Sequence, residues 1–309
     1  MSENLIRALT LKQLRALAAV AESGSVSAAA RKLNVTPPAV TMQVQLLEAS
    51  LDVPLLDRSG DRFRPTDAGR EVVAAVARIE GAINDCMAAI ESMKGLAGGR
   101  VSVAIVSTAK YFAPMALGAF GRAHPGVDVT LSVGNRADVL ELLRADAVDV
   151  AIMGRPPEDL EVVRTVIGDH PHIVIAPPDH PLVGRVGLQP TALTGQTFLM
   201  REPGSGTRGL MERLFEAEGV KPKIGMEIGS NETIKQAVIA GLGLAFISGH
   251  TVAAELADGR IARLDVAGLP IIRQWYVVRR TAKRLTPPAE AMCGFLAERG
   301  PTFLPQAAE

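Results

Sequence analysis

Thr41, Met42 and Gln45 stand within about one helical turn of each other in PPAVTMQVQLLE (37–48). An amide with both donor and acceptor, a hydroxyl and a flexible apolar tip suit the base edges of a DNA major groove, when a helix offers them from its first turns. Pro37 and Pro38 add apolar surface that can meet thymine methyls. Arg31 and Lys32 just before this stretch, and Arg58, Arg62 and Arg64 after it, supply cations for backbone phosphates. A second set of residues suits a small anion. Ser107 and Thr108 follow an apolar run, with Lys110 close behind. Arg155 follows another in MGRPP (153–157). Glu202, Ser205, Gly206, Thr207 and Arg208 fall in REPGSGTR (201–208), and Asn231 falls in GSNET (229–233). Helix starts with free N–H groups beside lysine and arginine form anion sites; any one stretch alone reads better as an ordinary helix cap, and the three together read equally either way.

Signs of catalysis are missing. No G-x-S-x-G, H-E-x-x-H or paired-carboxylate arrangement occurs, and GSGTR has neither the dinucleotide nor the Walker spacing. Of five histidines only His170 and His172 are close, with no third ligand at metal spacing, and most of the five read as loop or surface residues. No enzyme activity, metal or cofactor is expected.

The first set needs a particular frame. Leu11, Leu14, Leu17, Ala18 and Ala21 form an apolar stripe that Gly24 ends, flanked by Ser23 and Ser25. Val26, Ala29, Ala30 and Leu33 mark a second short helix, LNVT (33–36) a tight connection, and Val40, Val44 and Leu47 a third helix. Thr36 stands at the cap of that helix, Pro37 at its first position and Pro38 next, where a missing N–H costs nothing. Two short helices at a fixed angle make a helix-turn-helix, the alternative being a generic helical hairpin. Leu55, Leu56 and Phe63 flank the turn SGDR (59–62) as in a two-stranded wing, and Thr66 caps the long helical pattern beyond it. Residues 1–64 hold eight basic and six acidic side chains, so phosphate attraction must come from placement rather than from bulk charge.

Val72, Val76, Ile79, Ile83, Cys86, Ile90 and Met93 alternate steps of four and three over residues 67–94. That 3.5-residue repeat predicts a coiled-coil seam with a second chain; the alternative is a long helix lying on its own domain. GLAGGR (95–100) reads as a hinge. Beyond it VSVAIV (101–106), VDVTLSV (127–133), VDVAIM (148–153), IVIA (173–176), TFLM (197–200), LAFIS (244–248) and WYVV (275–278) alternate with helical patterns at 136–145, 207–218 and 231–241. They predict α/β units on mainly parallel strands, in two lobes with a cleft, and MGRPP as the crossover between lobes. Residues 281–309 read as a short helix and a loose tail.

Composition agrees with a folded, multi-domain chain: 309 residues, 48% hydrophobic and 21% charged, with 33 basic and 33 acidic side chains. Two distant cysteines suit a reducing compartment. No signal peptide or membrane span is legible, so a cytoplasmic protein with no membrane partner is expected.

The segments LKQLRALAAVAESGSVSAAARKLNVTPPAVTMQVQLLE (11–48), PLLDRSGDRFRPTDAGR (54–70) and HPGVDVTLSVG (124–134) resemble the LysR-type transcriptional regulators over essentially the whole chain. Pro37 stands where that family usually has a glutamine, which removes one potential base contact. Within the family, STAKYFAP (107–114), GNRADVLELL (134–143) and DVAIMGRPP (149–157) are similar to the CbbR subfamily, regulators of Calvin-cycle carbon-fixation operons. The resemblance implies an N-terminal all-α winged helix-turn-helix (1–66), a long dimerisation helix (67–94), a hinge (95–100) and a two-lobed α/β effector domain of periplasmic-binding-protein type (101–300). It also implies a dimer of dimers on double-stranded promoter DNA, RNA polymerase as a further partner, and an allosteric effector. That effector would be a phosphorylated metabolite such as ribulose 1,5-bisphosphate, or NADPH. A solute-binding protein, or an enzyme with an appended DNA-binding head, are the alternatives from other classes.

Overall fold

The computed structural model describes residues 9–57, 62–93 and 98–305, with backbone alone at 84–85, 88–89 and 91–93. The chain divides into two compact units, Met1–Met87 and Ala88–Glu309.

In the first unit α1 (Leu11–Ser23) opens with a capping box. The Thr10 hydroxyl accepts from the Gln13 N–H, and the Gln13 side chain accepts from the Thr10 N–H at 2.7 Å. Gln13, Ala16, Leu17, Ala19 and Val20 are its buried residues, so the inward stripe differs from the one expected through Leu11 and Ala21. Gln13 faces inward because the cap occupies its amide. Gly24 ends the helix in the left-handed region (φ 66°), its N–H on the Val20 carbonyl. α2 (Val26–Leu33) starts at Ser25, and the fully buried Ala29 and Ala30 let its neighbours approach closely. Asn34 (φ 54°) makes the turn into α3 (Pro37–Leu51), which buries Val40, Val44 and Leu47 as expected.

Thr36 holds the cap position of α3 but makes no side-chain capping bond, contrary to expectation. Prolines at the first two helical positions remove one of the two N–H groups a capping hydroxyl can serve, so their fixed φ angles alone set the helix start. Strands β1 (Leu56–Asp57) and β2 (Arg64–Pro65) pair antiparallel as the wing, and the Phe63 N–H ties it to the Gly24 carbonyl at 3.0 Å. Thr66 caps α4 (Asp67–Met93), accepting from the Gly69 N–H at 3.0 Å. Gly69 is required there, since a Cβ would stand 2.0 Å from the Leu55 carbonyl oxygen.

The repeat along α4 divides. Val72 packs on the winged-domain core and Val76 is buried, so these two serve their own chain. Ile79, Ile83, Cys86 and Ile90 are exposed. The Met93 side chain lies outside the described residues.

The second unit is built on one mixed nine-stranded sheet. In chain order it contains β3 (Gly99–Val106), α5 (Ala113–Ala123), β4 (Val127–Gly134), α6 (Arg136–Arg144), β5 (Val150–Met153) and β6 (Val162–Ala176). Then come β7 (Thr197–Arg201), α7 (Gly206–Ala217), β8 (Lys223–Ile228), α8 (Asn231–Ile239), β9 (Leu244–Ser248), α9 (Ala253–Ala257), β10 (Ala262–Arg263), β11 (Ile271–Arg280) and α10 (Pro287–Arg299). Strand order is β4-β3-β5-β11-β6-β9-β7-β8, with β10 on β6. The outer pairs are parallel as expected, but β5–β11, β11–β6 and β6–β9 are antiparallel. The chain passes from the first lobe to the second along β6 and returns along β11, which forces those two strands to run oppositely. MGRPP is therefore not the crossover. The passage lies near Gly168 (φ 134°) and the register shift between Trp275 and Tyr276.

Phe112, Phe120, Met153 and Trp275 fill the first lobe's core, and Phe198, Phe215 and Phe246 fill one face of the second. Two expected boundaries move. Strand β3 begins at Gly99, inside the expected hinge, whose residues 95–97 are outside the described ones. The expected loose tail is packed through residue 305, with Ala289, Met292 and Leu296 buried and Phe303 and Leu304 against the first lobe's core.

Candidate DNA-reading head and effector cavity

On the winged unit, Thr36, Pro37, Pro38, Met42 and Gln45 are exposed on the first turns of α3, with Met42 at 51%. Thr41 is half-buried, and its hydroxyl donates to the Pro37 carbonyl at 3.2 Å. Arg31, Arg62 and Arg64 are exposed, and Arg62 lies along Gly24. Lys32 pairs with Glu22. Arg58 lies outside the described residues.

The second unit has a cavity of about 540 Å³, counting its open mouth, where its two lobes meet. The ends of β3 and β5 bring Ser107, Thr108, Gly154 and Arg155 to it, and α6 brings Asn135 and Arg136. Arg201, Ser205, Gly206, Thr207 and Arg213 line it from β7 and α7, and His170, His172 and Arg273 from β6 and β11. Ser205 caps α7 through the Arg208 N–H, and Asn135 caps α6 through the Ala137 and Asp138 N–H groups.

Five arginines therefore converge. Arg201 is buried and held on four sides: both Glu202 oxygens (2.7 and 2.8 Å), the Asn231 carbonyl oxygen (2.5 Å) and the Ser107 hydroxyl oxygen (3.1 Å). Arg155 pairs with Glu158 at 3.0 Å. Among the described residues Arg136, Arg213 and Arg273 have no acidic partner within ion-pair distance. Burial first, then the neighbouring charges of Arg155 and Arg273, pull the Arg213 guanidinium below its ordinary pKa; burial and Arg155 do the same to Arg136. Cations crowded without counter-charges make a wall that an anion relieves.

Two histidines sit beside that wall. His170 stacks on Trp275 with ring centroids 3.8 Å apart, and the Trp275 N–H donates to His250 Nδ1 at 3.1 Å. His172 Nδ1 meets the His170 carbonyl at 3.2 Å. Burial drives the His170 pKa well below its ordinary value and those of His172 and His250 down to about 4, so all three rings are neutral at pH 7. The expectation of surface histidines fails for these three, because a neutral imidazole packs as an aromatic ring.

Of the residues expected around an anion, Ser107, Thr108, Arg155, Ser205, Gly206 and Thr207 line the cavity. Ser107 does so as an acceptor for Arg201, not as a helix cap. Lys110, Glu202, Arg208 and Asn231 do not line it. Lys110 turns to Glu232, and Arg208 is engaged by Glu212, Glu227 and the Arg201 carbonyl. Glu202 and Asn231 stand behind Arg201 and fix it. Sequence reasoning missed Asn135, Arg136, His170, His172, Arg201, Arg213 and Arg273. Only Asn135 carries a local signal, the capping box N-x-x-D opening α6.

Among the described residues no cluster of His, Cys, Asp or Glu is arranged to hold a metal, and no helix is long and apolar enough to cross a membrane. Residues 11–70 match the bacterial regulatory helix-turn-helix protein, lysR family, and residues 94–301 the LysR substrate binding domain. The chain is 54% identical over 299 residues to the HTH-type transcriptional regulator CbbR of Xanthobacter flavus, covering 96% of this chain and 90% of that one. It is 42% identical over 288 residues to the RuBisCO operon transcriptional regulator of Allochromatium vinosum, covering 93% and 95%. Its fold matches the regulatory domain of Synechocystis PCC6803 CcmR in complex with 2-PG, with a TM-score of 0.63, 37% identity and coverage of 64% of this chain and 96% of that one. A winged helix-turn-helix, followed in the chain by a long helix and a two-lobed domain, thus carries two matching family signatures, and the chain belongs to the LysR family of bacterial helix-turn-helix transcriptional regulators, within it to the CbbR type.

Proposed function

We propose that this regulator controls carbon-fixation operons by binding promoter DNA as a dimer of dimers, and that a small phosphorylated metabolite in the interlobe cavity switches it. The observation that carries the effector reading is the convergence of five arginines on one cavity, three of them without acidic partners among the described residues. A phosphate at neutral pH brings about two negative charges and several acceptor oxygens to such a wall. Ribulose 1,5-bisphosphate fits this charge logic. NADPH is the second candidate, since it too carries phosphates. The presence of 2-PG in the CcmR regulatory domain supports a small effector in this fold.

Thr41, Met42 and Gln45 read base edges, the prolines meet thymine methyls, and Arg31, Arg62 and Arg64, with Lys32 and Arg58, hold phosphates. Ile79, Ile83, Cys86 and Ile90, with Met93, pair α4 with a second chain, which hides an apolar stripe that the single chain leaves exposed. The effector acts by linkage: it must bind one arrangement of the lobes more tightly, and a coupling of roughly 1–3 kcal/mol alters promoter occupancy or bending.

The test is footprinting and sequencing of genomic fragments retained by the purified protein, with and without ribulose 1,5-bisphosphate. One interrupted palindrome beside carbon-fixation genes, with an effector-dependent footprint, is expected. Specific sites beside unrelated genes would refute the operon assignment, and an unchanged footprint would refute that effector.

A further inference from the structure

The cavity exists only while the two lobes stand together, because Ser107, Thr108, Arg136 and Arg155 come from one and Arg201 and Arg213 from the other. A short turn, Ser107–Tyr111, follows β3 of the first lobe and is bonded to the second lobe at both ends. At its start the Ser107 hydroxyl oxygen accepts from Arg201 at 3.1 Å. At its end the Tyr111 hydroxyl donates to the Glu232 carboxylate. Asn231 joins the two anchors, since its side chain holds Arg201 and it precedes Glu232 in the first turn of α8.

The second lobe presents Glu232 as a fixed acceptor. Lys235, only 4% exposed, holds its other oxygen at 3.0 Å and is itself held by the buried Glu255 at 2.9 Å. The Lys235 ammonium also lies 4.9 Å from the Tyr111 ring centre, and Lys110 of the first lobe reaches the same carboxylate at 3.7 Å. A hydroxyl on a carboxylate is a charge-assisted bond, roughly twice as strong as a neutral one. Lys110, Tyr111 and Glu232 do not line the cavity, so contact with an anion there does not account for them. We propose that the Tyr111–Glu232 bond is an interlobe latch, which favours the lobe arrangement that assembles the cavity and so sets how readily the chain accepts an effector. A ligand spanning the lobes favours the same arrangement, so latch and ligand act in one direction. The latch holds whatever the cavity binds, and its test needs no ligand.

The test is hydrogen–deuterium exchange of the full-length chain, read at residues 204–207 over a range of urea below the unfolding transition. That segment meets α6 of the first lobe, with the Gly204 carbonyl accepting from the Ala137 N–H at 3.3 Å and Ser205 and Thr207 buried. Tyr111→Phe keeps the ring and removes the donor, and exchange at 204–207 is expected to rise about three- to tenfold. Lobe opening exposes less surface than unfolding, so this exchange should climb less steeply with urea than exchange in β9, inside the second lobe's core. Parent rates at 204–207 in Tyr111→Phe overturn the latch, because the segment then opens without regard to that bond. A urea dependence equal to that of β9 overturns it too, because the segment then opens only when the whole domain unfolds. If Tyr111→Phe loses its native circular dichroism, Glu232→Gln is read by the same two criteria: a rise with shallow urea dependence supports the latch, and parent rates or a β9-like slope overturn it.

Discussion

Arg201→Met removes the charge at the back of the interlobe cavity and keeps much of the side chain's apolar bulk. In the parent the guanidinium is almost fully buried (2% exposed) and bonds both oxygens of Glu202, the Asn231 side chain and Ser107. Its loss strands the Glu202 carboxylate, which is 21% exposed, and leaves the inward acceptor of Asn231 unmet. Removing one partner of a buried ion pair costs about 3–5 kcal/mol, and the partial exposure of Glu202 favours the low end, about 3 kcal/mol. For a domain of this size that corresponds to a fall in Tm of roughly 6–12 °C. The assay is calorimetric or fluorescence-monitored melting of the full-length chain at pH 7.5. The double variant Arg201→Met/Glu202→Gln should recover part of the loss, because it no longer holds an uncompensated carboxylate. A fall of less than about 2 °C, or strictly additive losses in the double variant, would refute the view that Arg201 is held by charge pairing.

Other consequences are open to measurement. Gly154→Ala places a Cβ against the stacked, immobile His170 ring, so stability should drop by about 1–3 kcal/mol and phosphate binding should weaken, both readable by denaturant titration and calorimetry. Stability should also decline with acid. His172 and His250 have folded pKa values of about 4 against 6.5 unfolded, so between those values the unfolded chain binds more protons. The contribution is complete above pH 6.5 and is lost as pH falls toward 4, at up to about 1.4 kcal/mol per pH unit for each ring. A Tm that stays flat from pH 7.5 to 5 would contradict this. Ile83→Glu puts a charge on the exposed stripe of α4 and should shift sedimentation toward smaller species without altering the monomer's circular dichroism. Gln45→Ala should relax sequence preference in selection from random DNA by about 1–3 kcal/mol at one base pair, and an unchanged preference would remove Gln45 from the reading set.

Local rules made much of this protein legible from its residues. The helix-turn-helix rests on short-range devices: glycine and asparagine in left-handed turns, alanines at the helix contact, prolines at helix positions 1 and 2, and the i, i+4, i+7 spacing of Val40, Val44 and Leu47. Each acts within a few residues, so one chain suffices to see it. Most strands and helices of the second half were visible for the same reason, but β8, β10 and the first part of β6, which carry no continuous apolar run, were not. The wing and the exposed part of the α4 stripe were legible too, but Val72 and Val76 were not separable from it, since only folding shows which apolar residues their own domain covers.

The cavity is different. Arg136, Arg155, Arg201, Arg213 and Arg273 are scattered over 138 positions and meet only because β6 and β11 carry the chain across and back between two lobes. A lone arginine in sequence has no signature, and its charge is read only against its partners: Glu202 claims Arg201, Glu212 and Glu227 claim Arg208, and nothing acidic among the described residues claims Arg213. His170 and His172 were misread as surface residues because the apolar wall that keeps them neutral comes from Trp275, Phe246 and Gly154, far away along the chain. The sequence by itself determined the helix-turn-helix and the order of the elements, which depend on propensity, capping and periodicity. The charge, depth and composition of the interlobe cavity were decided by tertiary structure alone, because desolvation and Coulomb interactions depend on distance in space rather than on distance along the chain.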